Sequence, residues 1–91
     1  MSTALRERVL ISYDVAKREN STRAKVYRMV FGYKVKNGRK GPYRYEGYLD
    51  RPGSRHIGQS VVLLRPEIAA EFTDRLRQLG VKFRSDTVYI P

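Results

Sequence analysis

The 91-residue sequence contains no cysteine and no tryptophan, and it has a single histidine, His56. Without cysteine, the chain cannot form disulfides, iron–sulfur clusters, thiolate zinc sites or a cysteine nucleophile. A histidine metal site or a Ser-His-Asp triad would have to be built around His56 alone. These absences make most enzyme classes a poor match to the sequence.

Long apolar segments are also absent. No run approaches the roughly 18 apolar residues of a membrane-spanning helix. Residues 1–8 lack the continuous apolar segment of a signal peptide. With 91 residues, the chain has the length of one domain with a small core. We therefore expect a single cytoplasmic domain over residues 1–91.

Acidic residues are scarce, since nineteen lysines and arginines face nine aspartates and glutamates and the formal net charge is +10. The excess is concentrated in residues 17–55, which hold twelve basic and three acidic side chains. A positive field of this density attracts a polyanion, and nucleic acid is the commonest polyanion in a cell. We favour nucleic acid over an acidic protein partner or an anionic membrane surface, and expect no membrane binding.

Hydrophobic patterns predict the order strand, helix, hairpin, strand, helix, strand. The predicted bounds are 8–15, 20–31, 33–36 with 43–49 for the hairpin, 59–64, 66–79, and 81–90 with a bulge near 85–86. Asn20 or Ser21 is expected to cap the first helix, and Pro66 to open the second.

Two apolar stripes predict the buried helix faces. They consist of Val26, Tyr27, Val30 and Phe31 in the first helix and of Ile68, Ala69, Phe72, Leu76 and Leu79 in the second. Helices separated by strands predict an α+β two-layer sandwich. The order favours a ferredoxin-like (split βαβ) antiparallel sheet, with an extra strand from the basic hairpin and two helices on one face.

The hairpin combines cations with tyrosines around an Asn-Gly turn. Its basic residues are Lys34, Lys36, Arg39, Lys40 and Arg44, and its tyrosines are Tyr33, Tyr43, Tyr45 and Tyr48. Alternate strand residues share a face, so Lys34 and Lys36 stand together, and Arg44 joins them if the register allows. We expect these cations to contact phosphates. The tyrosines either stack on bases or donate to phosphates, or they pack the sheet; of the four, we expect Tyr43 to contact nucleic acid.

A second basic cluster lies at the start and on the polar face of the first predicted helix. It consists of Lys17, Arg18, Arg23, Lys25 and Arg28. Free N–H groups at a helix start favour phosphate, and only Glu19 balances these cations, whereas a solvated face normally mixes signs. Arg51 and Arg55 flank a Pro-Gly turn, and we expect both to bind phosphate.

Asp14 and His56 are the candidates for catalysis. Asp14 ends the first predicted strand, where a carboxylate can bind Mg²⁺ if substrate phosphates or a second carboxylate complete the shell. The Asp14 of a second subunit in a homodimer would serve. Alternatively, Asp14 pairs with Lys17 or Arg18 or caps a turn. His56 is a general base, a phosphate ligand or a structural residue, and the last of these is favoured because no acid orients it.

The segment Leu10-Ile11-Ser12-Tyr13-Asp14-Val15 resembles the first strand of the small ferredoxin-like CRISPR adaptation subunits, some of which are metal-dependent endoribonucleases. Residues 55–62, Arg-His-Ile-Gly-Gln-Ser-Val-Val, are loosely similar to the family pattern Arg-x-Gln-x-Ser-Val-Phe. Here Gln59 and Ser60 are adjacent, no phenylalanine follows Val61, and the basic hairpin is inserted before this strand. The resemblance implies that Asp14 is a metal ligand in a two-fold dimer.

Three interpretations follow from these features. The preferred one is a non-enzymatic module without a cofactor that binds RNA or DNA through phosphates, with limited sequence specificity. A protein that binds RNA at the ribosome is one example of such a module. The second is a Mg²⁺-dependent nuclease with Asp14 at a dimer interface, and the third is an interaction protein with an acidic partner.

Overall fold

The computed structural model of the protein describes residues 4–16, 18–36 and 41–91. The elements in chain order are β1 (Arg6–Asp14), α1 (Asn20–Phe31), β2 (Tyr33–Val35), β3 (Tyr43–Tyr45), a 3₁₀ helix (Tyr48–Asp50), β4 (Arg55–Gly58), β5 (Val61–Leu64), α2 (Pro66–Gln78) and β6 (Lys82–Ile90). Neither α-helix in these ranges is long and apolar enough to cross a membrane.

The main sheet has four strands in the order β4-β5-β1-β6, and each neighbouring pair is antiparallel. β1 pairs with β6 along its whole length, from Arg6 opposite Ile90 to Asp14 opposite Lys82. β2 and β3 pair in a separate two-stranded sheet, so the predicted hairpin is confirmed, whereas its expected place as an extra strand of the main sheet is wrong. The predicted α+β class with an antiparallel sheet is confirmed.

One face of the main sheet carries the core. Ile11 and Tyr13 share this face of β1 because side chains alternate along a strand, and Val62 of β5 pairs with Ile11. Buried residues of both helices belong to the same cluster, so both helices pack on this face. The fully buried large side chains are Phe72, Ile11, Leu64, Leu76, Val26, Val30 and Val62. The molecule therefore has a sheet layer and a helix layer.

The buried helix faces differ in part from the predicted stripes. Tyr27 is 63% exposed, and the buried residues of α1 are Val26 and Val30, which lie four positions apart on one face. Glu19 occupies the N-cap position of α1 without a side-chain cap, so the predicted capping by Asn20 or Ser21 is wrong. In α2, Phe72 and Leu76 are buried as predicted, whereas Ile68 is only half-buried.

Three other segments depart from the predicted pattern. The 3₁₀ helix replaces the end of the predicted hairpin strand, because the chain turns sharply after Gly47. β4 is not predicted, since it is short and lies mostly exposed beside β5. β6 runs through Ser85 and Asp86 without a bulge. Polar residues fit there because that part of β6 is exposed.

Two glycines bring the hairpin and the 3₁₀ helix against the end of α1. Gly32 has φ of 79°, in the left-handed region that glycine adopts readily, and it ends α1. Gly47 lies so close to the end of α1 that a Cβ on it would overlap backbone atoms of Gly32 and Val30. Asp50 closes the turn by accepting the Gly47 N–H at 2.8 Å. This junction sets the position of the hairpin and the 3₁₀ helix against α1, and all three line the site described next.

Candidate nucleic-acid interface

A cleft of about 420 Å³ lies where α1, the hairpin, the 3₁₀ helix and α2 meet. We call it the basic cleft; it is lined by Lys25, Arg28, Met29, Tyr33, Tyr45, Glu46, Gly47, Tyr48, Arg51, Glu71 and Arg75. Residues far apart in sequence thus share one open surface that combines cations with aromatic rings.

Four cations enter the basic cleft from three elements. α1 supplies Lys25 and Arg28, Arg51 follows the 3₁₀ helix, and α2 supplies Arg75. The ion pairs among the described residues join Arg44 to Asp50, Arg77 to Asp74 and Arg84 to Asp86. The cleft cations take part in none of them. Since only two carboxylates line the cleft, its field is positive and suits an anion.

Tyr48 forms the buried floor of the basic cleft. Its hydroxyl donates to Glu71 Oε1 at 3.0 Å, and burial, followed by this hydrogen bond, raises the pKa of Tyr48 above its ordinary value. The guanidinium carbons of Arg51 and Arg75 lie 6.0 and 5.9 Å from the ring centre. Tyr48 is therefore a neutral, packed anchor that holds two arginines in place, and its ring is too buried to stack on a base.

The hairpin presents its other three tyrosines on one face. The Tyr33 and Tyr45 rings stack with centres 4.8 Å apart, and the Tyr43 ring meets Tyr45 edge-on at 4.7 Å. The Arg28 guanidinium carbon lies 5.6 Å from the Tyr33 ring centre. The register places Lys34 opposite Arg44 on the reverse face, as the alternation predicts.

Arg44 holds the hairpin to the rest of the molecule. Its Nη2 donates to Asp50 Oδ2 at 2.9 Å and to the carbonyl oxygen of Phe31 at 3.1 Å. The Gly47 N–H and then the Arg44 guanidinium lower the pKa of Asp50. The predicted phosphate ligand Arg44 thus already has two partners within the chain.

Five of the other predicted cations lie outside the basic cleft. The structure describes Arg18, Arg23, Lys34, Lys36 and Arg55 as exposed residues outside it, while Lys17, Arg39 and Lys40 lie outside the described residues. Arg23 lines a second groove across α1, together with His56. The His56 ring meets Phe31 edge-on at 5.1 Å, which is a packing contact.

Arg75 is a cleft residue that the sequence does not single out. It lies one helical turn after Glu71, a spacing typical of a surface ion pair, on a helix with nearly balanced charge. In the structure Glu71 accepts the Tyr48 hydroxyl instead, and Arg75 extends over the Tyr48 ring. Its partners depend on the tertiary contact with the 3₁₀ helix, which no local pattern reveals.

Asp14 caps a turn at the end of β1. Its Oδ1 accepts the Ala16 N–H at 3.1 Å, and the residue opposite it on β6 is Lys82. Within residues 4–16, 18–36 and 41–91, no three His, Cys, Asp or Glu side chains come together as a metal site. A metal at Asp14 would need ligands from a substrate or a second subunit.

Asp14→Asn tests the nuclease interpretation. We expect nucleic-acid affinity to change by less than roughly fivefold, because one exposed charge is worth at most about 1 kcal/mol. Filter binding with and without Mg²⁺, followed by gel analysis for cleavage, measures both properties. Asp86→Asn removes the same charge elsewhere on the sheet. Mg²⁺-dependent cleavage by the natural protein that is lost in Asp14→Asn and kept in Asp86→Asn would establish the nuclease.

The basic cleft combines three structural features. It is open to solvent, its four cations come from α1, α2 and the residue that follows the 3₁₀ helix, and stacked aromatic rings adjoin it. Compared with models of protein families, with curated proteins and with solved structures, the chain matches none. The function therefore has to be inferred from the charge and geometry of this surface.

Proposed function

We propose that this protein is a non-enzymatic nucleic-acid-binding module that holds the phosphate backbone in the basic cleft. The observation that carries the proposal is the convergence of Lys25, Arg28, Arg51 and Arg75 beside the tyrosine face of the hairpin. Each cation that neutralises a phosphate releases counterions, which favours binding. RNA and DNA both supply these phosphates.

Limited sequence specificity accompanies this mode of binding. Phosphate contacts position a nucleic acid without reading its bases. α2 contributes one cation to the cleft and its own charge is nearly balanced, so it does not resemble a helix that reads the major groove. Lys34 and Lys36, on and after β2, are exposed outside the cleft and would add to the positive field around the hairpin.

The proposal includes a ferredoxin-like arrangement for the main domain. If the hairpin and the 3₁₀ helix are set aside, the chain order is β1-α1-β4-β5-α2-β6. The sheet order β4-β5-β1-β6 and the two helices on one face agree with a split βαβ arrangement. The basic cleft would then be an addition to this fold, because the hairpin and the 3₁₀ helix both lie in the inserted segment.

The salt dependence of binding tests the proposal directly. We expect the logarithm of the binding constant to fall linearly with the logarithm of salt concentration, with a slope of roughly −3 to −7 for four to eight phosphate contacts. Arg75→Ala should reduce the magnitude of the slope by about 0.7–0.9, because one phosphate contact is lost. Filter binding at several salt concentrations gives both slopes.

Arg77→Ala is the matched control for Arg75→Ala. It removes the same charge from the same helix, but Arg77 binds Asp74 at 3.0 Å and does not line the basic cleft. We expect its slope to equal that of the natural protein. Equal slopes for both variants would place the phosphate contacts elsewhere. A flat salt response of the natural protein would show that phosphate contacts do not supply the affinity and would contradict the proposal.

A further inference from the structure

We propose that Tyr43 is a stacking platform for an unpaired base, so that the ligand of the basic cleft is a single-stranded nucleic acid. This inference rests on the proposed function and specifies its ligand. A single strand would follow the cleft with its phosphates and place one base on the Tyr43 ring. RNA and DNA share this chemistry, because every base has a stacking face.

The three tyrosines on the hairpin face differ in their contacts and in their exposure. Tyr33 and Tyr45 are direct cross-strand partners and their rings stack, which stabilises a sheet of only two strands. Arg28 approaches the Tyr33 ring as well. Tyr43 is opposite Val35 and touches Tyr45 through an edge contact. Its side chain remains 61% exposed, against 41% for Tyr33 and 46% for Tyr45. Tyr43 is therefore the ring with most surface left for a ligand.

Tyr43 is also placed beside the phosphate-binding cations. It contacts Tyr45, which lines the basic cleft together with Arg28 and Arg51. The aromatic surface and the positive field are thus continuous, and a nucleotide held by the cleft has its base next to the hairpin. The cations favour an anionic occupant and the adjoining Tyr43 ring favours a planar one, and a single-stranded nucleic acid supplies both through its phosphates and its bases.

A duplex fits this surface poorly. Its bases are stacked on one another, so an exposed ring cannot stack on them unless a base pair opens. Stacking of an unpaired base on an aromatic side chain is worth about 1–3 kcal/mol, which corresponds to roughly 5- to 150-fold in affinity. A preference of this size for single strands is the measurable consequence.

The test separates base stacking from phosphate binding. Binding is measured for an oligothymidylate of about twelve nucleotides, within the usual site size. It is compared with an abasic oligonucleotide of equal length, a duplex and oligouridylate. We expect the oligothymidylate to bind roughly 5- to 150-fold more tightly than the abasic strand. Tyr43→Ala should remove most of this difference and leave the salt slope unchanged. Tyr43→Phe should keep the difference, since the ring and not the hydroxyl is required.

Tyr89→Ala is the control, because Tyr89 is 60% exposed and lies on β6 of the main sheet. It should bind all ligands as the natural protein does. Tyr43→Leu retains an apolar side chain at this strand position and should lose the base preference as Tyr43→Ala does. Equal affinity for the oligothymidylate, abasic strand and duplex, or a base preference that survives in Tyr43→Leu, would overturn the inference while leaving phosphate binding intact. Absence of salt-dependent binding to every probe would instead overturn the proposed function.

Discussion

Phe72→Ala is expected to lower the free energy of unfolding by roughly 3–5 kcal/mol. The Phe72 side chain is fully buried, and its ring meets those of Tyr13 and Tyr48 edge-on at 6.0 and 5.1 Å. Alanine would leave a cavity between α2, the main sheet and the floor of the basic cleft. A domain of this size has an unfolding free energy of about 5–15 kcal/mol, so the loss is a large share of it.

Thermal melts measure this effect against two controls. The loss predicts a fall in Tm of about 12 °C or more for Phe72→Ala. Leu5→Ala, at a residue that is 62% exposed, should change stability by no more than roughly 0.5 kcal/mol. Ile68→Ala should lie between the two, because Ile68 is only half-buried. A Phe72→Ala melt that coincides with that of Leu5→Ala would contradict the core described here.

The regular elements could be predicted from the sequence because their signals are local. Observed β1 (Arg6–Asp14) and α1 (Asn20–Phe31) lie within two residues of the predicted bounds at each end. The same is true of the start of α2 at Pro66, where proline favours the first helical position. Phe72 and Leu76 could be assigned to the core from helical spacing alone.

The errors arise where tertiary contacts override the local pattern. Tyr27 has helical spacing with Val30 and Phe31, yet the sheet lies under Val26 and Val30, so Tyr27 remains exposed. Alternation suggested that a strand continues through residues 46–49. Instead, the contact of Gly47 with the end of α1 and the hydrogen bonds of Asp50 produce a 3₁₀ helix.

In the candidate site too, local sequence signals predicted some residues correctly, and tertiary contacts decided the others. Charge density along residues 17–55 identified Lys25, Arg28 and Arg51 as candidate phosphate ligands, and the structure brings these three together. Arg44 carries the same charge signal but binds Asp50 within the chain. Arg75 joins the cleft from outside the charged segment. Composition thus reports how many cations the region has, whereas packing decides which of them face a ligand.

Gly47→Ala is expected to destabilise the protein and open the basic cleft, although Gly47 has an ordinary φ of −98°. The cost is steric. A Cβ at Gly47 would overlap backbone atoms of Gly32 and Val30 and lie 2.6 Å from the carbonyl carbon of Phe31, and backbone cannot move aside as a flexible side chain does. The end of α1 and the 3₁₀ helix would have to separate. Such overpacking costs about 1–3 kcal/mol, occasionally more.

Gly58→Ala is the matched control for Gly47→Ala. At Gly58 a Cβ would meet Val61 Cγ2 at 3.7 Å, an ordinary contact, and its φ is not positive. The free energy of unfolding of Gly58→Ala should stay within roughly 0.5 kcal/mol of that of the natural protein. The melting temperature of Gly47→Ala should lie clearly below that of Gly58→Ala. Nucleic-acid affinity at a temperature where both variants are folded should drop only in Gly47→Ala, because separation of α1 from the 3₁₀ helix moves Lys25 and Arg28 away from Arg51. Equal stability and equal affinity of the two variants would show that the glycine junction does not hold the cleft together.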